Sequence, residues 1–216
     1  MLSNKKNLFL IIGGVVLVGL IVFLLLDNNG QIGIGDKTGQ KNGATGSEMT
    51  ADEMAAIEED NINYAMETNE NLAGAKMDVV GASPITPENV VVTFEGKPTD
   101  NAAEPASELA PKRSLNIDKE TLPESVTLLN ASAKGFSPAN FEATANQPTT
   151  IAVSSTDDQV HVFKFDDPSL NAITVGVMPG ETKAITFNAP AAGTYFFRCD
   201  VPEHKDRGEV GTMIVR

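Results

Sequence analysis

The stretch Gly193-Thr194-Tyr195-Phe196-Phe197-Arg198-Cys199-Asp200-Val201-Pro202-Glu203-His204, continued by Gly208-Glu209-Val210-Gly211-Thr212-Met213-Ile214-Val215, decides how this sequence is read. An apolar run ends on Cys199, a short polar loop carries His204, and a second apolar run resumes at Gly211: strand, loop, strand. Within 216 residues there is one cysteine and there are two histidines, the second being His161, 38 residues before Cys199. One thiolate with two imidazoles is the donor set of a mononuclear copper electron-transfer site. No other Cys or His competes for those roles. His161 is far enough away to come from another strand, so two donors on one loop and one on a neighbour can meet at the end of a β-sandwich. A site held in one geometry in both oxidation states reorganises little, which fast electron exchange needs. Zinc accepts the same three donors and is the competing metal.

Outward from that loop, apolar runs separated by turn residues recur at short spacing from Ser125 on, the mark of an all-β sandwich. The expected strands are Val126–Ala133, Asn140–Thr144, Thr149–Ser154, His161–Phe165, Ile173–Val177, Thr182–Phe187, Thr194–Cys199 and Gly211–Val215. Gly135-Phe136-Ser137-Pro138, Asn146-Gln147-Pro148, Pro179-Gly180 and Pro190-Ala191-Ala192-Gly193 supply turns. Eight strands in about ninety residues leave little room for a catalytic cavity.

Before residue 125 the pattern changes. Residues 77–125 hold short apolar pieces, Val79-Val80 and Val90-Val91-Val92-Thr93-Phe94, broken by six prolines. They read as an extended Pro-rich arm that can lie along the domain that follows, without a core of its own. Thr50-Ala51-Asp52-Glu53 has the form of a capping box, and Met54, Ile57, Asn61 and Tyr64 follow at helical spacing, which predicts a short acidic helix over 51–66. Residues 27–47 are rich in Gly, Asn, Gln, Lys and Thr, a flexible linker. The whole of 27–124 is thus expected to form a flexible acidic, Pro-rich stalk, and 125–216 a folded domain.

Leu8 to Leu26 are 19 consecutive uncharged, almost wholly apolar residues, enough to cross a bilayer as a helix. Lys5 and Lys6 precede the span and Asp27 follows it, so residues 1–7 belong in the cytoplasm and everything after 27 outside it. A cleaved signal peptide has a shorter apolar region and a small-residue cleavage site, which Leu24-Leu25-Leu26-Asp27-Asn28 lacks. The expected location is therefore the cell membrane, with a single pass and an extracytoplasmic C-terminal domain. Outside the cytoplasm a lone free thiol is a liability unless a metal occupies it.

The net charge of −13 is uneven: residues 27–125 carry 19 acids and 7 bases, residues 126–216 carry 10 acids and 7 bases. The acidity argues against nucleic acid as a partner and suits a self-repelling stalk.

With these residues in view, 125–216 resemble a cupredoxin, the plastocyanin and azurin type of copper domain. The matching pieces are Gly135-Phe136-Ser137-Pro138, Asp157-Asp158-Gln159-Val160-His161-Val162-Phe163, Met178-Pro179-Gly180-Glu181-Thr182, and Gly193 to Cys199 followed, after four intervening residues, by His204. The resemblance implies a Greek-key β-sandwich, copper as cofactor, a redox partner protein, and His161, Cys199 and His204 as ligands. In such loops a weak axial Met falls five residues after the last His; here that position is Glu209, and Met213 lies four residues beyond it. Glu209 is the expected fourth ligand, or else a solvent-facing side chain that leaves the copper three-coordinate, and Met213, read first as a packing residue, is the alternative. A carboxylate there favours Cu(II) and a low potential, as in red-copper proteins of this fold. The residue after the first ligand is Val162, where the family often has an Asn that ties the two ligand-bearing segments together.

The functions these features admit are a membrane-tethered one-electron carrier, a copper storage or delivery protein, and an enzyme with an open red-type copper. One Cys and two His exclude a dinuclear copper centre, a multicopper oxidase and a copper nitrite reductase. Electron transfer stands first, and catalysis is not expected.

Overall fold

Alternation along the strands sorts side chains between a dry interior and solvent, and His161–Phe165 shows it: His161, Phe163 and Phe165 are buried while Val162 and Lys164 between them are half-buried. The computed structural model describes residues 51–216. The apolar span at 8–26 and the linker over 27–47 lie outside the described residues, and among the described residues no helix is long and apolar enough to cross a membrane.

Among the described residues, nine strands form two facing sheets. They are β1 (Thr127–Ser132), β2 (Gly135–Ser137), β3 (Asn140–Ala143), β4 (Pro148–Ser155), β5 (His161–Phe165), β6 (Thr174–Val177), β7 (Thr182–Asn188), β8 (Gly193–Cys199) and β9 (Val210–Val215). One sheet has the order β2-β1-β4-β7 and the other β3-β9-β8-β5-β6. β1 runs parallel to β4 and β3 parallel to β9, while the other pairings are antiparallel. Between the sheets lie Leu129, Ile151, Val153, Ile185 and Phe187 from the first and Phe141, Phe163, Phe165, Val175, Phe197 and Met213 from the second. Each such side chain stabilises the fold by about 1.5–3 kcal/mol relative to remaining exposed.

The turn expected at Gly135–Pro138 is instead a ninth strand. Ser132 pairs with Gly135 across a two-residue reversal, and Gly135 takes φ = +108°, a conformation open to glycine alone at little cost. A Cβ on Gly135 would stand 3.1 Å from the carbonyl oxygen of Gly208, so the hairpin also presses close against the loop that follows Cys199.

Residues 51–68 form helix α1 (Ala51–Thr68), two residues longer than the spacing predicts. It ends where Asn69 turns its side chain to accept from the Asn71 amide and caps a single 3-10 turn at Glu70–Leu72. Its apolar face is thin: Ile57 and Tyr64 are largely exposed.

From Leu72 to residue 124 the chain is laid along the sandwich. Ser114 N–H donates to the Ala184 carbonyl (2.8 Å), Ala184 N–H to the Ser114 hydroxyl (2.8 Å), and Ile117 N–H to the Thr182 carbonyl (2.9 Å), so residues 113–117 cover the free edge of β7. Val79 and Ala82 pack with Val126, Ala152 and Ala184, and the last two face each other in register on β4 and β7. Small residues at that pair let the arm approach closely. This explains why the run from Thr150 to Ser155 is buried throughout instead of alternating: the arm covers the face that solvent would otherwise reach.

Candidate metal centre

His161 is the first residue of β5, Cys199 the last of β8, and Glu209 immediately precedes β9, so three strand ends of one sheet converge. His204 stands in the loop between β8 and β9. Backbone hydrogen bonds fix that loop: Cys199 N–H donates to the Glu209 carbonyl (2.9 Å), Glu209 N–H to the His204 carbonyl (3.2 Å) and His204 N–H to the Val201 carbonyl (3.2 Å). A 3-10 turn at Lys205–Arg207 ends at Gly208, whose φ of +98° allows the chain to turn back toward β9.

One donor atom from each of His161, Cys199, His204 and Glu209 lies within 4.8 Å of the others, and all four residues are buried. Nδ1 of His161 is 2.8 Å and Nδ1 of His204 2.9 Å from the same Glu209 oxygen, Oε2. The Cys199 Sγ is 3.5 Å from His204 Nδ1. Thiolates and imidazoles bind a first-row ion at about 2.0–2.3 Å, which places donors around one ion about 3–4.5 Å apart. The four residues fit a mononuclear ion, and among the described residues the cation that hydrogen-bonds to this buried group of a thiol, a carboxylate and two imidazoles is Arg207, on the far oxygen of Glu209 (3.2 Å).

The electrostatics are consistent with a site built for a cation. Burial pushes the Glu209 carboxyl up, but hydrogen bonds from His161, His204 and Cys199 outweigh it and hold its pKa below the ordinary value. Burial pushes the Cys199 thiol above its ordinary value, only partly offset by the amides of Val162 and Val201, so without metal Cys199 is a thiol at neutral pH. The Val162 N–H reaches Sγ at 3.3 Å, and Asp200 N–H donates to the Val162 carbonyl at 2.8 Å, which ties β5 to the loop after Cys199 through backbone groups.

Beneath the donors is an aromatic floor. Phe163 faces Cys199 in register and stacks near Phe197 (centroids 4.8 Å), Phe165 (5.1 Å) and Phe136 (6.0 Å). Phe136 and Phe165 meet Phe163 edge to face and Phe197 meets it at a tilt of 39°, so the floor is built of apolar rings.

Met213 is a core residue of β9, fully buried, its Cα paired with Tyr195 on one side and Phe141 on the other. The residue that sequence reasoning passed over is Asp157. Its carboxylate meets Nε2 of His161 at 2.9 Å, and only the turn between β4 and β5 brings it there. Nothing in a spacing of four residues outside a helix signals that contact.

The model of a family described as "cupredoxin-like domain" matches residues 108–215, a range that takes in the 113–117 segment against β7. No curated protein matches the sequence. Among solved structures, the chain is similar to the dithionite-reduced auracyanin of the photosynthetic bacterium Roseiflexus castenholzii, with 23% identity over 43% of this chain and 98% of that one, at a TM-score of 0.38. It is similar also to auracyanin B, with 22% identity over 47% of this chain and 94% of that one, at a TM-score of 0.39.

Proposed function

The chain belongs to the cupredoxin-like domain family, and on that premise we propose that it is a one-electron carrier held at the outer face of a membrane, with His161, Cys199, His204 and Glu209 as the donors of its copper. The cofactor is copper, as the family and the His, Cys, His cluster indicate together. The observation that carries the reading is the burial of four convergent donor atoms within 4.8 Å at one end of the sandwich. When bound, copper supplies a one-electron exchange between Cu(I) and Cu(II).

The chain's own residues do the rest. Strand ends and loop hydrogen bonds preset the donors, so little has to move when charge changes. His161 is fully buried and His204 keeps 7% exposure, which makes the His204 edge the route by which an electron leaves or enters. Pro202 and half-buried Val201 beside it form an apolar rim for a redox partner protein. Glu209 presents a hard oxygen beside both imidazoles, which favours Cu(II) and sets a low potential. That donor also supports a second reading, a red-type copper with an open position. Four donors preset by strand ends and loop hydrogen bonds favour the carrier over a catalyst. The apolar residues 8–26 are the proposed anchor, and the acidic segment after residue 27 the proposed spacer.

Loading the full-length chain, in detergent, with one equivalent of Cu(II) tests the reading. The expected result is an intense thiolate-to-copper absorption that disappears on reduction and is absent in Cys199→Ala. Reversible voltammetry at low potential supports the carrier with Glu209 bound. Glu209→Gln then moves the band and Met213→Leu leaves it in place; the reverse pattern transfers the fourth position to Met213. Failure of the wild-type chain to bind copper would falsify the proposal. Deletion of residues 8–26 should release the protein from the membrane fraction, and retention there would remove the anchor.

A further inference from the structure

We propose that Asp157 is the positioning residue of the copper site, holding the His161 imidazole in the one orientation and protonation pattern that leaves Nδ1 free as a donor; this rests on the copper reading above. A carboxylate oxygen 2.9 Å from Nε2 can only accept, so Nε2 carries the proton and gives it to Asp157 Oδ1. The opposite nitrogen, Nδ1, is the one that faces Glu209 and the rest of the cluster. Without metal, Nδ1 also meets a carboxylate, Glu209 Oε2 at 2.8 Å, and donates to it; a cation at the place where the four donors meet takes the Nδ1 lone pair as that proton leaves, while the Asp157 bond keeps the other proton on Nε2.

Asp157 is itself held rigidly. Oδ1 also accepts from the Gln159 amide at 3.0 Å, and Oδ2 from the Ala133 amide at 2.7 Å. Two backbone donors from two different turns, one after β1 and one after β4, aim the carboxylate before any metal arrives. Ser155 stiffens the same turn by donating its hydroxyl hydrogen to the Gln159 carbonyl at 2.9 Å. His161 has no solvent exposure and the Asp157 side chain keeps 23%, so the hydrogen bond is shielded on the imidazole side. A negative charge on the far nitrogen makes a ligand imidazole more basic and favours the more highly charged ion, Cu(II) over Cu(I).

The same turn also reaches Glu209. Gln159 Oε1 accepts from Arg207 Nη2 at 3.0 Å, and that nitrogen donates to Glu209 Oε1 at 3.2 Å. This chain runs through an exposed guanidinium and is easily screened, so the buried contact of Asp157 carries the assignment.

The test compares Asp157→Ala, Asp157→Asn and Asp158→Asn in the full-length protein. Asp158 is the exposed neighbour, and its substitution makes the same charge change without touching His161. Expected for Asp157→Ala is a loss of Cu(II) affinity of about 10–100-fold by chelator competition, a smaller loss for Cu(I), and altered copper hyperfine coupling. A tenfold difference between the two losses raises the potential by about 59 mV. Asp157→Asn keeps size and one acceptor oxygen but not the charge, and should move the potential the same way by less. In the Cu(I) form, 15N spectra should show a slowly exchanging His161 Nε2–H that Asp157→Ala removes. Asp158→Asn should change none of these. A lowered melting temperature with unmoved hyperfine coupling and potential would mean that Asp157 only staples its turn, and would overturn the inference. If Asp157→Ala does not fold, Asp157→Asn decides by the same two measurements. A wild-type chain that binds no copper overturns the copper reading itself, a result distinct from one in which copper binds and Asp157 is silent.

Discussion

The two sheets of this sandwich share one core but differ in what their remaining surfaces do. Sheet β3-β9-β8-β5-β6 contributes every proposed donor, from the start of β5, the end of β8 and the connection into β9. Sheet β2-β1-β4-β7 contributes none; instead it receives the arm, which covers the edge of β7 and the small Ala152 and Ala184 pair. An exposed strand edge invites pairing with other chains, and a paired arm removes that hazard. The difference implies that stability and copper chemistry can be perturbed separately, one sheet at a time, except at the aromatic floor between them.

The floor is therefore where the separation should break. Phe163 is fully buried, touches Phe136, Phe165 and Phe197, and faces Cys199 in register. Phe163→Ala should cost about 3–5 kcal/mol of unfolding free energy and broaden the copper absorption as well. Chemical denaturation and the visible spectrum of the same sample check both halves; a loss confined to one would show that the floor belongs to one sheet.

Gly211 offers a smaller perturbation on the site sheet alone. A Cβ there would lie 2.3 Å from both the Ala139 carbonyl oxygen and the Phe197 ring. Relief requires β9 to move, two residues from Glu209. Gly211→Ala should destabilise by about 1–3 kcal/mol and shift the copper spectrum, whereas unchanged spectra would place Glu209 outside the ion's reach.

How far these parts were legible beforehand depends on what kind of signal each sends. Three of the proposed donors stood out because the chain has only one Cys and two His. Glu209 came from the resemblance, at the position where such loops carry an axial Met, and the structure brings its carboxylate to both imidazoles. Asp157 was not legible, because its contact with His161 is made by a turn whose hydrogen bonds, to Ala133 and Gln159, come from two separate segments. The strands over His161–Phe165 and Thr194–Cys199 followed from alternation. The strand at Gly135–Ser137 did not, because glycine and proline at its ends read as a turn and its pairing depends on a positive φ at Gly135. The packing of residues 77–124 was hidden for a related reason: its hydrogen bonds run to β4, β7 and the turn before β6, and extended segments carry no periodicity that names a distant partner.

On the arm-covered sheet the matching test is Ser114→Ala. The Ser114 hydroxyl oxygen accepts from the Ala184 amide, which points away from β4 and finds no other partner at that edge. Leaving a buried amide unpaired should cost about 1–2 kcal/mol, with the copper spectrum and potential unmoved. A shift in either would mean that the arm communicates with the site, and the division between the sheets would fail.

The smallest effect belongs to the turn that joins the sheets. Between β6 and β7, Glu181 accepts from Lys183 Nζ at 2.7 Å and from the Met178 amide at 2.9 Å, and these two contacts, Lys183 first, hold its carboxyl below its ordinary pKa of 4.5. A carboxyl with a depressed folded-state pKa contributes stability that is present above its unfolded value and lost as pH falls through the folded one. Lys183→Met should therefore cost only about 0–1 kcal/mol at pH 7, since the pair is partly exposed. The cost should fade as pH falls from 4.5 through the lowered folded-state pKa and Glu181 takes up its proton. Urea melts of the metal-free protein from pH 7 down to the lowest pH at which it stays folded read the decline. A penalty that did not diminish anywhere along that series would mean that Lys183 acts by packing its stem across the turn and not by charge, and the two sheets would then share a second mechanical link besides the aromatic floor.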